Sequence, residues 1–238
     1  MLANNTIALI AAFGLALAWL RLNDFFAHRG WISGPLSRKI IHIGTGPLFV
    51  LSWLFFTDTT TGIPPQYLAA LIPLAITIQF ALVGSGVLRD EAAVKAMSRT
   101  GDRREILRGP LYYGIVFVVL TLLYWRNSPI GIVALMLLCG GDGLADVVGK
   151  RLPSMRLIWS PDKSLSGSFA MFFGGFLMNA LVLAVYTAAG VFPGNLGTYL
   201  PGLSLIALAA TLVESLPFKD LDNLTIPLVA VILGHWLL

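Results

Sequence analysis

The sequence predicts an all-α, polytopic integral membrane protein with about eight transmembrane helices and both termini on the non-cytoplasmic side. The first observation behind this prediction is composition: the 238 residues are 57% hydrophobic and only 12% charged, whereas soluble domains carry about 25% charged residues. The second is a series of eight apolar stretches, each near the roughly 20 residues that cross a bilayer core as a helix. The third is a one-sided distribution of basic residues between these stretches. We therefore expect residues 1–238 to form a single transmembrane domain without a separate soluble domain.

The predicted transmembrane helices follow the apolar stretches in chain order. They cover residues 4–20, 40–57, 66–88, 110–125, 129–149, 165–188, 199–216 and 224–238. The longest polar connection, 89–109, begins with DEAAVKAM, which predicts a short helix at the membrane interface. Gly101-Asp102 is expected to end this helix, and Gly109-Pro110 to begin the fourth span. A solvated cytoplasmic loop is the simpler interpretation of the same segment.

Basic residues mark one side of the predicted bundle. Fifteen of the sixteen Lys and Arg residues lie in the connections 21–39, 89–109, 150–164 and 217–223, and the other connections hold only Arg126. By the positive-inside rule the basic connections are cytoplasmic. The rule also accounts for the net charge of +4, so nucleic-acid binding is not indicated. The carboxylates gather on the same side without being drawn there by this rule, which indicates a charged site that faces the cytoplasm.

The end of the fifth span carries acidic residues at membrane depth. Asp142, Asp146 and Lys150 are spaced i, i+4, i+8 and share one helical stripe. Two carboxylates within one turn repel each other in a hydrocarbon environment, and a divalent metal such as Mg²⁺ removes this penalty. The alternative is a pair of solvated charges, or charges paired with Lys150 and Arg151. Small residues form the adjacent stripe, which predicts close approach of another helix: Gly141, Ala145 and Gly149.

A second polar cluster follows in the segment SPDKSLSGSF. Ser160-Pro161 has the pattern of an N-cap and first helical residue of the sixth span. The first two turns would then contain Lys163 and small polar residues, namely Ser164, Ser166, Gly167 and Ser168. Free N–H groups beside a lysine and hydroxyls predict a phosphate site. Simple capping with a charge at the membrane edge is the alternative.

Two further clusters lie near the ends of the chain. Glu214 falls within an apolar run, and Asp222 or Asn223 can cap the eighth span. Arg38 and His42 share one face of the second span, and Lys39 follows Arg38. The positive-inside rule alone explains the two basic residues, and a packed, hydrogen-bonded histidine explains His42 equally well.

Four segments resemble the membrane polyprenol kinases, the family that contains dolichol kinase and phytol kinase. They are SRKIIHIGTGPLF, GDGLADVVGKR, DKSLSGSFAMF and ESLPFKDLDNLTIPL, and the resemblance extends from about residue 37 to 238. The segment MSRTGDRREILRGPLYYG is closer to the phytol and farnesol kinase branch. This resemblance implies transfer of the γ-phosphoryl group of a nucleoside triphosphate, typically CTP, to a prenyl alcohol such as phytol, farnesol or geranylgeraniol.

The resemblance places polar residues in family motifs, and the chemistry of phosphoryl transfer then suggests their roles. Asp142 and Asp146 match the acidic metal and nucleotide motif, and would hold Mg²⁺. The residues expected to contact phosphate are Arg38, Lys39, Lys150, Arg151, Lys163, Ser164, Gly167 and Ser168. Glu214 or Asp222 would accept the alcohol proton, and His42 and Asn223 would position substrate. The nucleotide would arrive from the cytoplasm, and the prenyl alcohol from the membrane lipid.

Two other functions are compatible with these motifs. A phosphatidate cytidylyltransferase shares the paired Asp and Lys-Ser motifs and also uses CTP. An ion-coupled transporter would use intramembrane acids as an ion path, but the sequence has no internal repeat and its acids gather at one membrane face. The cellular membrane is expected to be a bacterial inner membrane or a thylakoid-type membrane.

Overall fold

The computed structural model is an all-α protein, as predicted, and describes residues 2–58, 62–98, 100–218 and 221–238. Side chains are described at these positions except 2, 3, 24, 34, 35, 95 and 96. Arg99 and Lys219, which count towards the predicted basic connections, lie outside the described residues. Within the described residues, six helices are long and apolar enough to cross a membrane: Asn4–His28, Pro65–Ser85, Arg103–Leu123, Pro129–Arg151, Leu165–Ala188 and Leu196–Glu214. The eight-span count and the orientation stay predictions.

The helices and strands follow one another with short connections. In chain order they are α1 (Leu2–His28), α2 (Gly34–Ser52), a 3₁₀ turn (Trp53–Phe55), α3 (Pro65–Ser85), α4 (Glu91–Met97), a 3₁₀ segment (Arg103–Leu107), α5 (Gly109–Leu123), α6 (Pro129–Met136), a π-helix (Leu137–Asp142), α7 (Gly143–Arg151), strands β1 (Arg156–Leu157) and β2 (Ser160–Ser164), α8 (Leu165–Ala188), α9 (Leu196–Glu214) and α10 (Asp222–Leu237). Helices α1 and α2 take up most of the predicted connection 21–39. The apolar stretches therefore locate the helices, and the stretch 165–188 coincides with α8, while most other helix ends differ by one to several residues.

One compact unit comprises Met1–Arg38 and Ser52–Leu123. In this unit α3 packs against α5 and α1. Asn5 ties the start of α1 to Thr57, because its amide donates to the Thr57 carbonyl at 3.0 Å and accepts from the Thr57 N–H at 2.9 Å. These reciprocal hydrogen bonds satisfy polar groups that are costly to leave unpaired in an apolar environment.

The 89–109 segment is folded onto this unit and is not a simple solvated loop. Asp90 caps α4 by accepting from the Ala93 N–H, which confirms the predicted short helix. Ile106 is fully buried in a cluster with Phe80 and Val83 of α3. The Arg103 guanidinium donates to the Gly84 carbonyl at the end of α3. Apolar burial and a charged hydrogen bond therefore hold the segment against α3.

The second compact unit comprises Lys39–Leu51 and Tyr124–Leu238. Its centre is the continuous helix formed by α6, the π-helix and α7, in which residues 130–141 are all buried. A helix that is apolar on every side belongs inside a bundle, and α8, α9 and α10 pack around this one. The Tyr186 hydroxyl of α8 donates to the Val50 carbonyl of α2 at 2.7 Å. The predicted single domain stays a prediction.

Glycines bring α8 close to the central helix, as the small-residue stripe predicts. A Cβ added to Gly167 of α8 would lie 3.2 Å from the Ala145 carbonyl and 3.5 Å from the Gly149 Cα. One added to Gly175 would lie 3.6 Å from the Gly141 Cα. Backbones can approach this closely only where side chains are absent or very small. The prediction that Gly141, Ala145 and Gly149 accept another helix is therefore confirmed.

The helix start predicted at Ser160-Pro161 is wrong, although the apolar stretch 165–188 coincides with α8. Ser160 and Pro161 do not begin the helix but lie in β2, which pairs with β1 in an antiparallel hairpin. Helix α8 begins at Leu165, and its N-cap is Ser164, whose hydroxyl accepts from the Gly167 N–H. The Ser-Pro pattern was misleading because a second serine four residues later makes the capping hydrogen bond. Lys163 consequently lies in a strand before the helix.

Candidate active site

Lys163 lies among carboxylates from two other parts of the second unit. Its ammonium group donates to the buried Glu214 carboxylate at the end of α9 and lies 3.8 Å from Asp222 Oδ2 at the start of α10. Burial by itself lowers the pKa of Lys163, but the charges of Glu214, Asp142 and Asp222 leave this pKa above the ordinary lysine value. Lys163 is therefore a permanent positive charge at the meeting point of three acidic side chains.

Asp142 is the last residue of the π-helix and faces His42 of α2. The distance from His42 Nε2 to Asp142 Oδ2 is 3.8 Å, and the same nitrogen lies 3.4 Å from the Leu138 carbonyl. Because a carbonyl only accepts, the hydrogen bond requires the proton on Nε2. Asp142 also interacts electrostatically with Lys163 and Glu214. The interpretation of His42 as a hydrogen-bonded histidine is thus supported, and it lies beside the acidic site.

Asp146 has different surroundings from Asp142, although both belong to one predicted stripe. Lys39 of α2 lies 3.0 Å from Asp146 Oδ2, and Lys150 lies 2.6 Å from Oδ1. Each carboxylate oxygen is therefore engaged by an ammonium group. The expected i,i+4 pair with Lys150 is present, and a lysine from a distant helix completes the group.

The first turn of α8 does not offer the free N–H groups that the phosphate prediction assumed. The Leu165 N–H donates to the Met155 carbonyl, that of Ser166 to the Ser154 hydroxyl, and that of Gly167 to Ser164. Unpaired amides at a helix start are what attract an anion, and the hairpin connection has already satisfied these. Among the described residues, the Ser168 hydroxyl is buried without a hydrogen-bond partner.

Asp222 is not the side-chain cap of α10. The residue before it, Leu221, occupies the cap position, and the helix has no side-chain cap hydrogen bond. Asp222 Oδ1 accepts from the backbone N–H of Asn223 at 3.1 Å and lies 3.5 Å from its side-chain amide. Oδ2 is the oxygen that faces Lys163. Asn223 therefore orients the carboxylate towards the lysine instead of capping the helix itself.

The other predicted residues lie around this group or elsewhere in the chain. Ser164 and Gly167 form the close contact between α7 and α8, and Arg151 is exposed at the end of α7. Arg38 belongs to the first unit, where its guanidinium donates to the Ser98 carbonyl at 3.0 Å. Sequence reasoning did not foresee the π-helix before Asp142 or the Ser154–Ser166 contact. The Gly140-Gly141 pair was the available signal for an irregular helix.

The carboxylates fit Mg²⁺ if phosphate oxygens complete its shell. Within the described part of the chain, no group of three or more His, Cys, Asp and Glu side chains is arranged to hold a metal ion. Mg²⁺ needs only one or two carboxylates together with water and substrate phosphates. Asp142 is better suited to this than Asp146, because lysines hold both oxygens of Asp146, whereas His42 lies 3.8 Å from one oxygen of Asp142.

The fold and the site together define an integral membrane enzyme with charged groups gathered in the second unit. Lysines can neutralise an anionic substrate, an aspartate can bind a cation, and a further carboxylate can accept a proton. Comparison with known proteins identifies the family.

Three relatives are similar over nearly the whole chain. Probable phytol kinase, chloroplastic, from Triticum aestivum is 40% identical over 93% of this chain and 74% of its own length. Phytol kinase 1, chloroplastic, from Arabidopsis thaliana is 34% identical over 96% of this chain and 75% of its own. Farnesol kinase, chloroplastic, from the same plant is 38% identical over 98% and 77%. The chain belongs to the family of phytol and farnesol kinases. No protein-family model and no solved structure matches it.

Proposed function

We propose that this protein is a prenyl-alcohol kinase that transfers the γ-phosphoryl group of a nucleoside triphosphate to phytol, farnesol or geranylgeraniol. The observation that carries the proposal is the grouping of Lys163 with Glu214, Asp222 and Asp142, which lie far apart in the sequence. Phosphoryl transfer needs charge neutralisation and an aligned acceptor hydroxyl. The family relationship to phytol and farnesol kinases supports the same reaction.

Three lysines are proposed to bind the nucleotide phosphates. Lys163 would leave its carboxylate partners and contact the transferred group, while Lys39 and Lys150, both held by Asp146, would contact the remaining phosphates. Ser168, whose buried hydroxyl has no hydrogen-bond partner, stays a predicted phosphate contact. CTP is the proposed donor, and Arg38, Arg151, Ser164 and Gly167 stay predicted phosphate contacts.

Asp142 is proposed to hold Mg²⁺, and Asp146 is a weaker candidate because lysines engage both its oxygens. When bound, the ion would neutralise charge on the phosphate oxygens. His42, which lies 3.8 Å from Asp142 Oδ2, is proposed to position substrate beside this carboxylate.

Asp222 is proposed to accept the proton of the prenyl alcohol. Its side chain is 23% exposed, whereas that of Glu214 is 5% exposed and hydrogen-bonded to Lys163. As the alcohol oxygen bonds to the γ-phosphorus, the bond to the bridging oxygen breaks. The nucleoside diphosphate then leaves, and the alcohol proton passes to Asp222. Asn223 holds the carboxylate in position through Oδ1.

We propose that the site faces the cytoplasm or the equivalent compartment of a bacterial inner or thylakoid-type membrane. The distribution of basic residues supports this orientation, and the relatives named above are chloroplastic. The nucleotide would enter from the aqueous side and the alcohol from the membrane lipid.

A substrate panel tests the proposal. The purified protein would be incubated with phytol, farnesol or geranylgeraniol, each with CTP or ATP, in the presence of Mg²⁺. We expect a prenyl monophosphate and a nucleoside diphosphate in equal amounts. Formation of a cytidylylated lipid from phosphatidate would favour the cytidylyltransferase alternative. Nucleotide-independent ion flux in sealed vesicles, without any phosphorylated product, would favour a transporter.

A further inference from the structure

Exposed apolar side chains occur in two connections next to the Lys163–Glu214–Asp222 group. Ile158 and Trp159 form the turn between β1 and β2 and are 95% and 57% exposed. Leu216 and Phe218 follow α9 and are 38% and 47% exposed. None of these residues belongs to a helix that could span a membrane. They are therefore exposed apolar side chains that lie outside the spanning helices.

The Ile158-Trp159 turn is not explained by backbone geometry. Neither residue has the positive φ for which hairpin turns select Gly, Asn or Asp, so the backbone accepts large side chains here without requiring them. Two large apolar side chains exposed at a turn outside the spanning helices are typical of a site that contacts an apolar partner.

A hydrogen bond joins the hairpin to the second connection. The Trp159 indole N–H donates to the Ser215 hydroxyl at 3.3 Å. Ser215 is buried and lies between Glu214 and Leu216 in the chain. Lys163 follows Trp159 by four residues on β2. The two connections that bear the exposed apolar side chains are thus joined to each other, and they adjoin Lys163 and Glu214 in the chain.

We propose that Ile158, Trp159, Leu216 and Phe218 form the binding surface for the hydrocarbon tail of the prenyl alcohol. The proposal rests on the proposed function, because a hydroxyl placed at Asp222 requires an apolar path for the tail that follows it. A prenyl alcohol has one small polar end and a long branched chain. Burial of that chain against an indole and a phenyl ring removes apolar area from water on both partners.

Alanine substitution of Trp159 separates tail binding from nucleotide binding. We expect Trp159→Ala to raise the KM for geranylgeraniol roughly tenfold and to leave the KM for CTP unchanged. For 3-methylbut-2-en-1-ol, whose five carbons offer little tail, kcat/KM should stay within about twofold of the unsubstituted protein. Phe173→Ala is the matched control, since Phe173 is 53% exposed but lies within α8.

Conservative variants distinguish the apolar surface from the hydrogen bond. Trp159→Phe and Ser215→Ala both remove the indole–hydroxyl contact but keep an apolar side chain at the hairpin. Both should retain a near-normal KM for geranylgeraniol. If they match Trp159→Ala, or if Trp159→Ala weakens the short alcohol and CTP equally, the residue positions Lys163 and the tail proposal is wrong.

Photo-crosslinking provides a readout that needs no turnover. A geranylgeraniol analogue with a diazirine on its tail should label peptides that contain 155–160 and 216–218, and unlabelled geranylgeraniol should compete. Uniform labelling of the lipid-facing helices without competition would identify bulk lipid as the occupant and overturn the proposal. If the protein has no kinase activity but unlabelled geranylgeraniol still reduces the labelling, the surface binds the tail and the proposed reaction is wrong.

Discussion

Asp142 and Asp146 differ in their surroundings although one helical stripe contains both. Their spacing and the nearby Lys150 follow from the sequence, because i,i+4 neighbours on a helix are local. The approach of Lys39 to Asp146 and of His42 to Asp142 depends on the position of α2, which no local pattern encodes. The sequence therefore predicts the acidic site but not the division of roles within it.

Asparagine substitutions test this division. Asp142→Asn should lower turnover at least about 100-fold and raise the Mg²⁺ concentration for half-maximal rate, because the metal loses a charged ligand. Asp146→Asn should lower kcat/KM for the nucleotide about tenfold through loss of the partner of Lys39 and Lys150, with an unchanged Mg²⁺ requirement. Steady-state kinetics across a Mg²⁺ series measures both. If only Asp146→Asn changes the Mg²⁺ requirement, the metal-binding role belongs to Asp146 and not to Asp142.

Asp222 and Glu214 can be distinguished in the same way. Asp222→Asn should reduce kcat at saturating nucleotide by roughly 10²- to 10⁴-fold with little change in nucleotide KM, since it acts on the alcohol in the transition state. Glu214→Gln should instead raise the nucleotide KM, because Lys163 loses its buried partner. Full turnover in Asp222→Asn would leave the residue without a catalytic role, and a lost nucleotide affinity would assign it to phosphate binding.

At the scale of elements, the stripe of Gly141, Ala145 and Gly149 on the central helix could be predicted as a contact surface, whereas the hairpin before α8 could not. The pattern Ser160-Pro161 satisfies a helix-start rule, but Ser164 makes the capping bond and leaves five residues for β2. The strand pairing that selects between these starts involves Arg156 and Leu157, which carry no strong strand signal. Ser160-Pro161 and Ser164 both satisfy local rules for a helix start, and the tertiary structure selects Ser164.

Enlarging Gly174 tests the helix contact. A Cβ there would lie 3.0 Å from the Gly140 carbonyl and 2.6 Å from a methyl group of Leu144. We expect Gly174→Leu to lower the free energy of unfolding by about 1–3 kcal/mol through overpacking, measured by thermal unfolding of the detergent-purified protein. Gly14→Leu is the control, because a Cβ at Gly14 meets nothing within 4 Å. Equal effects of the two substitutions would contradict close packing of α8 on the central helix.

At the scale of the whole molecule, apolar stretches locate the helices well because membrane insertion depends on length and hydropathy. They do not locate helix ends: α1 continues to His28, past the end of its predicted stretch, since a helix can leave the bilayer without unwinding. The π-helix at Leu137–Asp142 is likewise not predicted by hydropathy, and the Gly140-Gly141 pair is its one local signal. The predicted number of spans rests on the apolar stretches, and the predicted orientation rests on the basic residues alone.

Cysteine accessibility tests the orientation. Ser98 is a poor reporter because it is buried, so we choose Arg104, which is exposed in the 89–109 connection. A membrane-impermeant thiol reagent applied to intact cells should not label Arg104→Cys but should label Asn195→Cys, which is exposed between α8 and α9. The native Cys139 is buried and adds little background. The reverse pattern of labelling would invert the proposed topology.

Transfer of label from nucleotide to phytol tests the central claim most directly. The purified protein would receive phytol, Mg²⁺ and CTP that carries radioactive phosphorus at either the α or the γ position. A prenyl-alcohol kinase places label in the lipid product only from the γ position, and Asp222→Asn should slow that transfer roughly 10²- to 10⁴-fold. Label in lipid from the α position, or no labelled phytol from either nucleotide, would contradict the account.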